Sequence, residues 1–236
     1  MKRRDFLLSL SATAALSAAG RLGAQTPAPP LSVPPAPAGA STPRPAAPAV
    51  QPLFIPLRRN IGAFTARGGT IGWLCSPDAI AIVDTQFPDT AAQCLAGLPG
   101  RGDRMLDVVI NTHHHSDHTS GNGTFKPVSK HIVAQANVLA LQRRAAENAK
   151  PPTVEQQVYA DQTFQESWRL ALGDEVVTAK YFGPGHTGGD IVVHFEKANV
   201  VHMGDLVFNR MYPVTDRLGG VNLRGWVSVL EKVIHD

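Results

Sequence analysis

The chain has 236 residues, enough for one good-sized domain, and its 43% hydrophobic content with few aromatics suits a soluble globular fold. Its formal charge of +3 comes from the N-terminal stretch: without Lys2, Arg3, Arg4, Arg21 and Asp5, 18 basic and 18 acidic residues remain, which removes any electrostatic case for a nucleic-acid partner. Two distant cysteines, Cys75 and Cys94, exclude a disulfide framework and a short-spaced zinc pair, and both are expected free and buried.

Residues 1–24 read as a twin-arginine signal peptide. Lys2-Arg3-Arg4-Asp5-Phe6-Leu7 is followed by a short apolar stretch and by Leu22-Gly23-Ala24 before a plausible cut. The expected location is periplasmic or secreted, with no stable membrane span once the signal is removed. Residues 25–56 hold 11 of the 19 prolines and no acid, the composition of a disordered Pro/Ala-rich linker. A folded domain follows over 57–236, with apolar residues starting near Leu53.

Along that domain, Ile61 to Thr70 and Ile71 to Cys75 predict strands, and Ala79 to Asp84 a buried strand ending in an acid. Asp89 is the expected cap of a helix running to about Leu98. Ile132 to about Asn148 reads as one helix, with Ala134, Val138, Leu141 and Ala145 on the buried face and Gln135, Gln142 and Arg143 toward solvent. Four strands are expected at Thr163–Leu170, Glu175–Phe182, Asp190–Phe195 and Val200–Met203, the last of them buried. A helix over 224–235 closes the chain, and the interleaving of strands and helices predicts a layered α/β fold.

The chemistry concentrates at one strand end. Val108 to Asn111 opens into Thr112-His113-His114-His115-Ser116-Asp117-His118. Residues two apart in extended chain point the same way, so His113 and His115 can converge on one metal ion while His114 points elsewhere. Asp117 and His118 follow as the chain turns and can face a second ion. Imidazole and carboxylate are ligands expected of catalytic zinc. Gly183-Pro184-Gly185-His186-Thr187-Gly188-Gly189-Asp190 offers His186 as a third ligand of the first ion. The strand Val200 to Met203 leads to Asp205, which can bridge two ions or cap a turn. His131, His194, His202 and His235 receive plain structural readings. Phe208, Asn209, Met211 and Tyr212, just past Asp205, are candidate pocket residues.

Thr112 to His118, Gly185-His186-Thr187 and Gly204-Asp205, in this order, resemble the metallo-β-lactamase superfamily from about Ile61 to the C-terminus. The resemblance implies a four-layer αββα sandwich with a dinuclear zinc site at one edge. His113, His115 and His186 would bind the first zinc, Asp117 and His118 the second, and Asp205 would bridge both. Asp84 would support the site from behind its ligands. It further implies a zinc-dependent hydrolase that uses a metal-bound hydroxide, oriented by Asp117, on a small-molecule substrate. The bond cleaved would be an ester, thioester, lactone, lactam or phosphoester.

Two departures bear on that expectation. True zinc β-lactamases typically carry cysteine or serine where this chain has Asp205, which weakens the antibiotic-hydrolysing alternative. The family also has a final metal-binding histidine in a Gly-His segment beyond the next helix, whereas this sequence stops at Asp236. The expectation is a sequence lacking its last strand, ligand and helix, with an incomplete second site and His235 as the one nearby substitute. A non-catalytic zinc-binding protein is the alternative that this absence raises. A di-iron redox centre is disfavoured because relatives of that kind carry glutamate at the position of His115, and an all-imidazole first site suits zinc better.

Overall fold

The computed structural model describes residues 51–236. The stretches expected to be signal peptide and tether, as far as residue 50, lie outside the described residues. Strands β1 (Leu53–Arg58), β2 (Ile61–Thr65), β3 (Ile71–Cys75) and β4 (Ile80–Val83) form an antiparallel meander. β1 starts inside the stretch expected to be linker. Leu53 pairs with Thr65, and the Phe54 ring lies 4.7 Å from Phe64, so 53–56 belong to the domain. Its Pro56 is tolerated because β1 is an edge strand with a bulge between Pro56 and Arg58.

The chain continues through α1 (Pro88–Gly97), β5 (Val108–Asn111), the short helices α2 (Ser116–Thr119) and α3 (Asn122–Phe125), β6 (Ile132–Gln135), α4 (Ala136–Asn148) and β7 (Gln162–Phe164). These complete a seven-stranded sheet in the order β1 to β7, parallel from β4 onward. β8 (Ser167–Leu172), β9 (Glu175–Tyr181), β10 (Ile191–Phe195) and β11 (Val200–His202) form an antiparallel second sheet, and α5 (Leu223–His235) follows.

Period-two alternation sorts the side chains into layers. Ala81, Val83, Val108, Ile110 and Val133 point inward and meet Val177, Ala179, Ile191, Val193 and Phe195 of the second sheet. Their neighbours Ile80, Ile82, Val109 and Ile132 pack outward with Ala91, Cys94 and Leu98 around α1 and with Phe125 of α3. On the far side, Val192 meets Trp226 and Val229 of α5. The result is the αββα sandwich expected. Cys75 and Cys94 are both free and buried, as read from the sequence, and burial pushes the Cys94 thiol up to about 12.

Several local expectations are corrected. The stretch from Ile132 is a strand before it is a helix: all four residues of β6 are buried in the parallel slot between β5 and β7. A short buried strand and a helix start have the same apolar signature, so periodicity alone merged them. Gln135 is accordingly buried, its side chain accepting from Asn137 N to cap α4, and Gln142 is buried against Gln157 rather than solvated. Thr163–Leu170 splits into β7 and β8, which belong to different sheets. Helix α1 begins at Pro88, with Phe87 as its cap residue and Phe87 N donating to Thr90 Oγ1. Asp89 sits in the first turn and pairs with Arg67 at 2.7 Å. β11 is a half-exposed edge strand, not a buried one.

Candidate metal centre

The carboxyl ends of β4 and β5 open side by side into loops, the usual place for a site in a parallel sheet. Asp84, just past β4, has φ 65°, a left-handed conformation that costs a non-glycine residue about 1 kcal/mol. Its fully buried carboxylate accepts Thr112 N at 2.7 Å, Thr112 Oγ1 at 2.7 Å and His118 Nδ1 at 2.8 Å. Beneath the histidine turn, Asn111 and Asn122 exchange hydrogen bonds at 2.9 and 3.0 Å, and Thr85 Oγ1 donates to the His118 carbonyl. The turn is thus fixed by buried polar groups that are partnered inside the protein.

His186 reaches the same point from the second sheet. Its turn is wrapped on Asp190, which accepts from Thr187 N, Thr187 Oγ1 and Gly185 N. Ile191 N donates to Thr112 O and joins the two sheets there. Asp205 arrives through Gly204, whose φ is +50° and where a Cβ would stand 2.6 Å from Thr112 Oγ1, so only glycine fits. His202 holds this bend: its Nδ1 accepts Gly204 N, and its Nε2 donates to the Thr70 carbonyl.

His113, His115, His186 and Asp205 converge, with one ligand atom from each lying within 4.8 Å of all the others. The tautomers follow from proton accounting. Thr112 Oγ1 spends its one hydrogen on Asp84, so at 3.0 Å from His113 it accepts from Nδ1–H. His186 Nδ1–H donates to the Val214 carbonyl at 3.0 Å, and His115 Nε2–H donates to Asp216 Oδ2 at 2.9 Å. That leaves lone pairs on His113 Nε2, His115 Nδ1 and His186 Nε2. His115 Nδ1 lies 3.1 Å from the first and 3.0 Å from the third. Three unprotonated nitrogens facing each other at this range repel unless positive charge sits among them. The donor set fits a divalent cation.

Charge regulation agrees. Burial, reinforced by the neighbouring histidines, drives His113 well below its usual range and lowers His186. Asp205 is held low: burial opposes its ionisation, but His118 outweighs it. A second cluster adjoins the first. His118 Nε2 is 3.1 Å from Asp205 Oδ1 and 3.6 Å from Asp117 Oδ2, yet makes no directed hydrogen bond. Burial works against charging His118, but Asp84 and Asp205 hold it well above its ordinary value. An unsatisfied buried nitrogen between two carboxylates is also the chemistry of a cation ligand.

The structure therefore brings His113, His115, Asp117, His118, His186 and Asp205 to one place, with Asp84 behind them. His114 points away from that set; its Nε2 lies 3.5 Å from Asp216 Oδ2, and with His115 and Asp216 it forms another group whose ligand atoms lie within 4.8 Å of one another. His235 is exposed at the end of α5 and belongs to none of these groups among the described residues. Of the pocket candidates, Phe208 stands edge-on to His186 with ring centroids 5.7 Å apart and is backed by Trp226, while Asn209, Met211 and Tyr212 are exposed. Sequence reasoning missed Asp216, 101 positions from the His115 ring it holds, and the Thr112 hydroxyl that relays Asp84 to His113. Nothing local to Asp216 marks it. For Thr112, its place at the mouth of β5 was the available signal.

The family model for the metallo-beta-lactamase superfamily matches residues 64–235. A hydroxyacylglutathione hydrolase from Brucella anthropi is 30% identical over 153 residues, which is 64% of this chain and 52% of that protein. One from Brucella ovis is 30% identical over 151 residues, with the same shares. The chain spans about half the length of the curated relatives it matches. Among solved structures, a metallo-beta-lactamase from Pontibacter korlensis superposes with a TM-score of 0.62 at 18% identity, covering 78% of this chain and 86% of the other. One from Hirschia baltica gives 0.61 at 18%, covering 78% and 84%. At such identity the likeness concerns the fold.

Proposed function

The chain belongs to the metallo-beta-lactamase superfamily, and from that membership and the site geometry we propose that it is a metal-dependent hydrolase of small molecules. An ester, thioester, lactone, lactam or phosphoester is the bond cleaved, with thioesters the first class to test. Support for thioesters comes from the Brucella relatives, named hydroxyacylglutathione hydrolases, and from aspartate rather than cysteine or serine at position 205. The observation that carries the reading is the convergence of three imidazole lone pairs with Asp205.

Zinc is the ion proposed, since neutral imidazoles with carboxylates suit it. His113, His115 and His186 would hold one ion, Asp117 and His118 a second, with Asp205 facing both. A bound divalent cation supplies Lewis acidity toward a substrate oxygen and makes water a competent nucleophile near neutral pH. The protein's own part is positional. Asp84 and Thr112 fix the faces of His118 and His113, and Asp190 fixes the His186 turn. Asp117, 37% exposed beside His118, would orient a nucleophilic water and take its proton. Phe208 and Trp226 exclude solvent behind His186.

Purified chain should contain zinc by elemental analysis and hydrolyse at least one member of a panel of thioesters, lactones, nitrocefin and phosphodiesters. His113→Ala should abolish turnover, and activity that survives it refutes the metal-hydrolase reading. Tightly bound zinc without turnover on any substrate would favour a binding protein instead. Export through residues 1–24 to the periplasm or medium is proposed as well, and cell fractionation of a tagged chain with Arg3 and Arg4 replaced by lysine tests it.

A further inference from the structure

The segment between Asp205 and α5 touches the metal centre at two of its imidazoles, in both cases through the ring nitrogen that faces away from the proposed ion. Val214 O accepts from His186 Nδ1, and Asp216 Oδ2 accepts from His115 Nε2 at 2.9 Å. Asp216 is itself held: its Oδ1 accepts Gly219 N at 2.8 Å, its backbone carbonyl accepts Val221 N, and Gly219 O accepts Gly188 N next to the His186 turn. A Cβ on Gly219 would collide with the Asp216 carboxylate.

We infer that Asp216 is a positioning residue: it selects the Nε2–H tautomer of His115, aims Nδ1 at the metal position, and ties the 207–219 segment to the centre. The inference rests on the metal-centre reading above. His115 is the pivot of the three-histidine set, since it alone contacts both other nitrogens, and it is also the most exposed of the three, with 22% of its side chain accessible against 1% of His113 and none of His186. Packing locks His113 and His186 in place. His115 has less packing, so its orientation depends on the carboxylate. A hydrogen bond from a metal-binding imidazole to an acidic acceptor both orients the ring and raises its basicity.

The test compares wild-type chain, Asp216→Ala and Asp216→Asn, all first stripped of metal. In the stripped proteins, two-bond proton–nitrogen NMR should show His115 as a single Nε2–H tautomer in the wild type and a tautomer mixture in Asp216→Ala. Titration with Co²⁺ should then show the affinity for the first ion falling about 10- to 100-fold in Asp216→Ala, with altered visible absorption bands. Asp216→Asn, which keeps an acceptor oxygen, should recover most of the loss. A wild type that binds no Co²⁺ overturns the metal centre and this inference together. A wild type that binds, beside an Asp216→Ala variant with unchanged tautomer, affinity and spectrum, overturns the inference alone. Circular dichroism at the titration temperature separates loss of fold from loss of orientation.

Discussion

The two halves of the metal centre are built differently. The His113–His118 turn is sunk between β4, β5 and α1, and its orienting groups (Asp84, Thr112, Asn111, Asn122) are all buried. The 207–219 segment on the other side carries Val207, Met211, Tyr212, Val214 and Leu218 exposed to solvent, and it reaches the centre through one carbonyl and one half-buried carboxylate. One side is rigid and suited to presenting charge with little reorganisation. The other presents exposed apolar side chains beside the two acceptors, Val214 O and Asp216, that hold the rings of His186 and His115. Under the proposed function, the buried side would fix the metal ligands and the exposed apolar residues would meet the substrate.

Breaking the buried side should have the largest effect. Asp84→Ala leaves three buried donors without an acceptor and removes the charge beside His118. Loss of about 3–5 kcal/mol of stability is expected, together with metal affinity, by denaturant unfolding and zinc titration. A smaller loss follows from crowding the same region. A Cβ on Gly121 would strike the Thr85 carbonyl and Ala91, so Gly121→Ala should cost about 1–3 kcal/mol in the same measurement.

The pH dependence of the metal-free chain sharpens the comparison. Burial holds His114 down at about 4 and lowers His113 and His186. The unfolded chain, with histidine near 6.5, therefore takes up protons before the folded one does. Stability from these groups is full above about pH 6.5 and is lost as pH falls toward their folded values. His118, raised well above its usual value, acts in the opposite sense and favours the fold below pH 6.5. Because His114 is not among the proposed ligands, His114→Gln should flatten the stability profile between pH 6.5 and 4 by about 1–3 kcal/mol and leave zinc content unchanged. Thermal melts across that range, with elemental analysis, check both points.

The smallest stability effect belongs to the exposed side. Tyr212→Ser should change stability by less than about 0.5 kcal/mol and raise KM for an apolar substrate while kcat is retained. A fall in kcat with unchanged KM would show that Tyr212 acts on the chemistry and not on substrate contact.

The sequence by itself determined the layered fold, the identity of the two converging histidines and their partners His186 and Asp205, and the acid at the end of β4. Strand alternation and loop spacing are local and marked the layers and the pair His113 and His115, whereas the joining of His186, Asp205 and Asp84 to that pair was implied by the resemblance to the metallo-β-lactamase superfamily. It could not separate β6 from α4, since a short, fully buried run has no periodicity of its own, nor β7 from β8, which lie close together in sequence, are largely exposed and part only because they pair into different sheets. Nor could it find Asp216. That residue has meaning only once the chain returns to His115 101 positions later, and a single aspartate in a glycine-containing turn carries no local mark of the ring it will hold. Which ligand nitrogens are free for metal was likewise settled by tertiary structure, because each imidazole's tautomer is set by the acceptor that packing places behind it.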